Sequence, residues 1–516
     1  MIIIKPDEVY AMKKEHIILR SDMLKCMLCA DPVCDKACPQ NLQPARILRS
    51  LWFANEDAAA AGLPAENTCA SCAAPCEAAC LRPHEVPIKH LITKLKQDVA
   101  PYLHSSLPQN EERLKTDICG IPLESPFLLS SSVVSSTYDM CDRAFAAGWA
   151  GAAFKTICTF DIHEASPRFS AINGADGSII GFKNIEQLSD HSLTENMAIF
   201  RKLKEKYPAK FILASIMGQN EAEWTELAYT CQENGADAIE LNFSCPNMME
   251  DGLGSDIGQV PELVERFTAA AKRRTDIPVL AKLTPNVATM SPAAEAALRG
   301  GADGIAAINT IKSIMGVNPH TYVSSPAVHN RSAVGGYSGN AVKPIALRFI
   351  AELAKNPALE KLHISGMGGI ETWQDGLEFL LLGAGSLQVT TAVMQYGYRI
   401  IDDLKSGLNY YLQQKNFSSV KDVVGLGLAS ISESTDVLER DSIVFPKFER
   451  STCLGCGRCV IACSDGGHQA ITLNKERQPI LDGKKCVGCH LCRLVCPTHS
   501  IASGTKRIYR RSPSLS

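Results

Sequence analysis

This 516-residue chain has no apolar run that approaches the roughly 20 residues a membrane-spanning helix needs. Its opening, Met1-Ile2-Ile3-Ile4-Lys5-Pro6, is too short an apolar stretch for a secretion signal. An excess of one charge is missing as well. Lys and Arg total 52 against 55 Asp and Glu, and a net charge of −3 offers nucleic acid no basic surface. No G-x-G-x-x-G opens a helix after a strand. Gly252-x-Gly254 lies in a polar segment, the wrong setting for a dinucleotide fingerprint. These absences leave a cytoplasmic globular protein of two to four domains with no NAD or FAD site of its own.

Cysteine is scarce only in the middle. Of 21 cysteines, eight fall between Cys26 and Cys80, eight between Cys453 and Cys496, and five lie between the two blocks. A secreted disulfide scaffold would not leave a long cysteine-poor middle, so the blocks read as metal sites. The first block holds Cys26-x2-Cys29-x4-Cys34-x3-Cys38-Pro39 and Cys69-x2-Cys72-x3-Cys76-x3-Cys80. Between these runs, residues 44–61 read as a helix with Ile47, Leu48, Leu51 and Trp52 on one face. Zinc is the plain alternative, since paired C-x2-C units serve it too. Four cysteines in close succession ending in Cys-Pro favour iron–sulfur. The second block, Cys453-x2-Cys456-x2-Cys459-x3-Cys463 and Cys486-x2-Cys489-x2-Cys492-x3-Cys496-Pro497, is the duplicated bacterial ferredoxin run. Crossed ligation then puts Cys453, Cys456, Cys459 and Cys496 on one [4Fe-4S] cluster and Cys463, Cys486, Cys489 and Cys492 on the other. The basic tail beyond Ile501, with Lys506, Arg507, Arg510 and Arg511, is expected to be disordered.

Between the blocks, short apolar runs alternate with helical patterns, the mark of βα units around a parallel sheet. Strands are expected at 126–129, 151–156, 211–217, 238–243, 279–283, 304–309, 362–365 and 386–390. Eight of them predict an α/β fold, a TIM (β/α)8 barrel; a doubly wound sheet would need a Gly-rich first turn that is not there. The expected segments are 1–105, a helical iron–sulfur domain; 106–420, the barrel; and 421–516, a ferredoxin-like domain.

A barrel of this kind gathers its chemistry at the C-terminal ends of its strands. Those ends carry Lys155-Thr156, Asn220, Asn242 with Ser244 and Cys245, Lys282, Asn309-Thr310, Gly366-Met367-Gly368-Gly369 and Thr390-Thr391. Each alone is ordinary: an Asn caps turns and a lone thiol is usually core. Together they suit flavin chemistry. The Gly-rich turn and the hydroxyls suit a phosphate, the lysines an electron-rich isoalloxazine edge, and the amides a substrate of alternating carbonyl and N–H groups. Cys245 ends a strand before a Gly-bearing segment, 248–254, expected to be a mobile cover, as a gated proton donor requires.

The motifs Ala214-Ser215-Ile216-Met217, Glu240-Leu241-Asn242-Phe243-Ser244-Cys245-Pro246, Ala281-Lys282-Leu283-Thr284-Pro285-Asn286, Gly335-Gly336-Tyr337-Ser338-Gly339 and Gly368-Gly369-Ile370 resemble the FMN domain of dihydropyrimidine dehydrogenases. The resemblance implies FMN held by Lys155 and Lys282, within a set that extends to Ser131, Thr156, Ser338, Gly339, Gly366, Gly368, Gly369, Thr390 and Thr391. It implies a pyrimidine bound by Asn220, Asn242, Asn309 and Thr310, and Cys245 as general acid and base with Ser244 tuning its proton. The first cysteine block resembles the N-terminal domain of the same family and of the glutamate synthase small subunit. That likeness implies one cluster on Cys26, Cys29, Cys34 and Cys80 and another on Cys38 with residues of the second run. The spacing there departs from the family, whose last ligand can be a Gln or Glu that has no equivalent near Ile92, so the expected second set is Cys38, Cys69, Cys72 and Cys76. The chain then needs an electron partner, an FAD- and NAD-binding subunit or a ferredoxin, and is expected to be oligomeric. A dihydroorotate dehydrogenase and a pure electron-transfer flavoprotein stay open as alternatives.

Overall fold

The computed structural model describes residues 22–64, 66, 69–83, 85–99, 109–174, 177–248, 253–432 and 434–509. The chain forms two compact units. One takes the described chain up to 48, residues 63–99 and the chain from 432 onward; the other takes 49–62 and the described chain from 109 to 431.

The second unit is a closed parallel barrel. Its strands are β1 Phe127–Leu129, β2 Gly151–Ala153, β3 Phe211–Ile216, β4 Ala238–Asn242, β5 Val279–Lys282, β6 Gly304–Ala307, β7 His363–Met367 and β8 Ser386–Val389. They neighbour one another in chain order, and β8 closes on β1 through Leu387 opposite Phe127. Every residue of β1 to β6 and of β8 is buried, as expected where helices cover one side and the barrel axis the other. The helices Glu221–Glu233, Pro261–Lys272, Ser291–Arg299 and Lys343–Lys355 follow β3, β4, β5 and β6 in turn, the alternation that βα units require. The barrel interior is partly polar. Glu240 accepts from Lys282 Nζ at 3.2 Å and from Gln388 Nε2 at 3.1 Å, and Gln388 Nε2 also reaches Ser365 Oγ at 3.1 Å. Ser386 Oγ donates to Ser365 Oγ at 3.0 Å, and His363 Nε2 lies 2.8 Å from Ser386 Oγ. Burial lowers His363 to about 4, so the layer is locked with a neutral imidazole.

Two excursions leave the barrel, one after β2 and one after β6. They build an antiparallel sheet of Ile311–Ser313, Gly335–Ser338, Ile179–Asn184 and Phe169–Asn173, in that spatial order. Both leave from C-terminal strand ends, which puts the sheet at the mouth where the sequence places the chemistry. Residues 49–62 also belong to this unit. Ser50 Oγ donates to Asp403 Oδ1 at 2.6 Å and Arg49 Nε to Oδ2 at 2.7 Å, on the helix Ile401–Gln414.

The single helix expected at 44–61 is two, Pro44–Trp52 and Glu56–Ala61. Ala54 at φ +52° breaks the run, and Asn55 caps the second helix by accepting from Ala58 N–H at 3.3 Å. In the first unit, the expected disorder beyond Ile501 is also overturned. Ile501–Tyr509 is a strand, paired antiparallel with Ser442–Phe448. Ile501 is buried with Ile471, Cys459 and Cys492, and this apolar anchor outweighs the basic composition. Arg510 and Arg511 lie outside the described residues.

Candidate functional site

A cleft opens to solvent at the C-terminal mouth of the barrel, and the atom-free space in it and in the solvent at its entrance is about 1140 Å³. It draws on nearly every strand end: Ser131 after β1, Lys155 and Thr156 after β2, Asn242 and Cys245 at β4, and Asn309 and Thr310 after β6. Gly368, Gly369, Thr390 and Thr391 follow β7 and β8, and the excursion sheet adds Phe169, Phe182, Asn184, Tyr337, Ser338 and Gly339. Scattered positions of the sequence meet here because a barrel sends all its strand ends to one rim.

Cys245 is 6% exposed. Burial pushes its thiol up to about 11. The backbone N–H of Asn247 and the ammonium groups of Lys282 and Lys155 work against that rise, and Glu164 adds to it. The turn after Cys245 is tied to the excursion sheet: Asn247 Nδ2 donates to Asn184 Oδ1 at 3.1 Å and to the Glu186 carbonyl at 2.6 Å. Ser244 Oγ donates to Asn242 Oδ1 at 2.9 Å, and Asn242 Nδ2 donates to Thr156 Oγ1 at 2.8 Å. Ser244 therefore orients the Asn242 amide and does not itself line the cleft. Of the cover segment, Met249 to Gly252 lie outside the described residues; Leu253 and Gly254 are buried and lead into a turn at Gly254–Gln259.

Lys155 is held by two carboxylates, Glu164 at 3.4 Å and Glu186 at 3.2 Å, and Arg168 meets Glu186 at 3.0 Å. Lys282 stands below the cleft, locked on Glu240 in the barrel interior. The glycine turn is a close approach of backbones. Gly368 and Gly369 take φ +124° and +81°, and a Cβ on Gly369 would stand 2.9 Å from the Gly339 carbonyl. Thr391 Oγ1 donates to Ser338 Oγ at 3.1 Å, and Thr390 Oγ1 is 3.2 Å from Ser132 Oγ. Such a cradle, with no side chain in the way, fits a phosphate-bearing cofactor.

Besides Ser244 and Lys282, two more expected residues stand away from the cleft lining. Asn220 is exposed and caps the helix Glu221–Glu233: its Oδ1 accepts from Glu223 N–H at 3.1 Å. Gly366 turns its missing Cβ toward Phe379 and Ala384, where space for helix packing is at stake. Three residues with no sequence signal take part instead: Asn184, Glu186 and Asn247. They sit on the excursion and on the turn beyond Cys245, outside the barrel strand ends that the periodicity picks out.

In the first unit, one cavity is lined by Cys453, Cys456, Cys459 and Cys496, and another by Cys463, Cys486, Cys489 and Cys492. Backbone N–H groups of Gly455 and Gly488 point at Cys453 and Cys486 sulfur, each at 3.4 Å. In the N-terminal block, burial pushes Cys34 up to about 12, with Asp35 and then Cys26 and Cys80 adding to the rise. Cys76 is pushed to about 11 by burial, with Glu77, Cys38 and Cys69 contributing, and Cys69 is raised by burial with Cys38 and Cys72 beside it. Cys34 thus has Cys26 and Cys80 near it, and Cys38 has Cys69 and Cys76 near it.

A closed βα barrel with a thiol, amides and lysines at its C-terminal mouth, on a chain that also carries cysteine-lined cavities, defines a class of redox barrel. The chain belongs to the dihydroorotate dehydrogenase family, which matches residues 113–412, and within it to the family of the NAD-dependent dihydropyrimidine dehydrogenase subunit PreA. It is 52% identical over 392 residues to that subunit of Escherichia coli (strain K12), covering 76% of this chain and 95% of the relative. The chloroplastic dihydropyrimidine dehydrogenase (NADP(+)) of Arabidopsis thaliana is 36% identical over 348 residues, 65% of this chain and 82% of that protein. The catalytic subunit of dihydroorotate dehydrogenase B (NAD(+)) of Pyrococcus abyssi is 39% identical over 316 residues, 61% of this chain and 99% of its own. Residues 447–502 match a 4Fe-4S dicluster domain.

Proposed function

We propose that this chain is the catalytic subunit of a dihydropyrimidine dehydrogenase, which reduces uracil or thymine to the 5,6-dihydropyrimidine or runs the reverse oxidation. The observation that carries the reading is the convergence on one cleft of the Cys245 thiol with Asn184, Asn242, Asn309 and Thr310. A pyrimidine edge alternates carbonyl and N–H groups, and each Asn both donates and accepts. Cys245 gives a proton to carbon 5 of the ring. A thiol raised by burial is protonated at neutral pH, the form an acid needs.

The cleft fits FMN. Ser131, Lys155, Thr156, Ser338, Gly339, Gly368, Gly369, Thr390 and Thr391 line it, and Lys282, paired to Glu240, stands below. Bound there, FMN supplies hydride exchange at carbon 6 and couples one-electron to two-electron transfer. The sixteen cysteines hold four [4Fe-4S] clusters, one set each on Cys26, Cys29, Cys34 and Cys80; on Cys38, Cys69, Cys72 and Cys76; on Cys453, Cys456, Cys459 and Cys496; and on Cys463, Cys486, Cys489 and Cys492. Electrons reach them from a separate FAD- and NAD-binding subunit or a ferredoxin in the cytoplasm.

The test is anaerobic. The flavin of the purified protein is reduced with dithionite, the excess removed, and uracil, thymine and orotate are added separately while oxidised-flavin absorbance is followed. Reoxidation by uracil or thymine and not orotate is expected. Reoxidation by orotate alone would place the chain with the dihydroorotate enzymes, and no response to any of the three would overturn the substrate class.

A further inference from the structure

The two cysteine-lined cavities between 449 and 501 are built on near copies of one loop. Cys453-Leu454-Gly455-Cys456 and Cys486-Val487-Gly488-Cys489 each aim a glycine N–H at the first cysteine sulfur at 3.4 Å, with the glycines at φ +66° and +73°. What covers the two glycines differs. A Cβ on Gly488 would meet the Val444 carbonyl at 2.8 Å, whereas one on Gly455 would meet Arg477 Cβ at 3.0 Å. Arg477 Nε donates to the Gly455 carbonyl at 2.9 Å. That arginine stands in the turn between the strands Ile471–Leu473 and Pro479–Leu481, where its backbone N–H donates to the Asn474 carbonyl at 3.0 Å. Its φ of +58° is a left-handed backbone that suits Gly or Asn and strains an arginine. Strain kept at such a place points to work for the side chain.

Charge separates the two cavities as well. Arg458 and Arg477 line the first, with Glu449, whose Oε1 accepts from Ser451 Oγ at 2.7 Å. His468 and His490 line the second, which has no Arg, Lys, Asp or Glu among its described lining residues. Leu491 there takes the place that Arg458 has in the first copy. Lys485 and Arg493 flank cysteines of the second set but line neither cavity, and Arg493 Nη1 donates to Ser503 Oγ at 3.4 Å.

Resting on the reading of these two cavities as [4Fe-4S] sites, we propose that Arg477 raises the reduction potential of the cluster on Cys453, Cys456, Cys459 and Cys496 above that of the cluster on Cys463, Cys486, Cys489 and Cys492. Reduction adds one negative charge, and a guanidinium tied to the ligand loop favours the reduced form. Arginine keeps its charge at every working pH, so no proton moves with the electron on its account. Arg477 is itself exposed, and water screens its charge, which keeps the shift modest. One electron passing within the pair oxidises the second cluster, reduces the first and rests there.

The test reads potentials, apart from turnover. Purified holoprotein is titrated anaerobically with dithionite and redox mediators, and the electron paramagnetic resonance of the reduced clusters is followed against potential. In Arg477→Gln, which keeps a donor for the Gly455 carbonyl and loses the charge, one one-electron component is expected to move to lower potential while the others stay. Its reduction constant should fall about three- to tenfold, tenfold being about 59 mV for one electron. Arg477→Lys, which keeps the charge, should stay near the parent. Lys475→Gln removes a cation from the same turn but outside the cavity wall, and should move nothing. Arg477→Asn, whose side chain tolerates the left-handed backbone, is the neutral comparison if the Gln variant loses iron. A neutral variant with parental iron and unmoved components overturns the proposal, as does an equal shift in Lys475→Gln. A parent protein that shows no reduced-cluster signal at any potential would instead overturn the cluster reading itself.

Discussion

An asparagine amide can cap a helix or meet a ligand, and its surroundings decide which. Asn220 spends its side chain on Glu223 at the start of a helix, whereas Asn184 faces the cleft and takes a hydrogen bond from Asn247. The two asparagines should therefore respond differently to truncation. Asn184→Ala is expected to lower kcat/KM for uracil by about 10- to 100-fold, and, because its amide also bonds Gly336, Glu186 and Asn247, to lower the melting temperature as well. Asn220→Ala removes a cap worth about 1 kcal/mol and should lower the melting temperature while leaving kcat/KM nearly unchanged. Steady-state kinetics and thermal melts on both variants decide; a kinetic defect confined to Asn220→Ala would reverse the assignment. Cys245, Asn242, Asn309 and Thr310 were legible because each ends an apolar run at barrel period. Asn184 was not, because its strand lies off the barrel and shows a mixed burial pattern.

At the scale of elements, the barrel strands could be read to within a few residues. Apart from His363 at the start of β7 they are buried runs ended by polar or glycine residues, so composition alone marks them. The excursion sheet, with short and half-exposed strands, carries no such contrast. The strand Ile501–Tyr509 was hidden for another reason: its charge pattern reads as a solvated tail, and its placement rests on one buried residue and on pairing with a segment some 60 residues earlier. The glycine turn after β7 allows a sharper test. Gly369→Ala forces a Cβ to 2.9 Å from both the Gly339 carbonyl and Lys343 Cβ, at a positive φ. A left-handed backbone costs an L-residue about 1–2 kcal/mol, and the cradle must also widen. FMN content after gel filtration should fall, with affinity weakened about tenfold or more. Flavin retained at the parent level would remove the turn from the cofactor's binding site.

At the scale of the molecule, the proposed reading gives sixteen cysteines to delivery and one cleft to chemistry. If the cysteine sets carry electrons, damage to one should leave the half-reaction at the cleft intact. Cys26→Ser is expected to lower iron from about 16 to about 12 atoms per chain, one [4Fe-4S] cluster. Flavin reduced directly by dithionite should still be reoxidised by uracil at the parent rate, because substrate and cleft residues are untouched. Turnover driven by an external electron donor should fall by at least tenfold. Cys26 lies outside the barrel's compact unit, so the far-UV circular dichroism of the variant is expected to be nearly unchanged. Iron analysis, stopped-flow flavin absorbance and donor-linked turnover together separate the outcomes. Equal loss in both reactions would mean that the N-terminal block supports the structure of the catalytic unit, and its role as a conduit would fail.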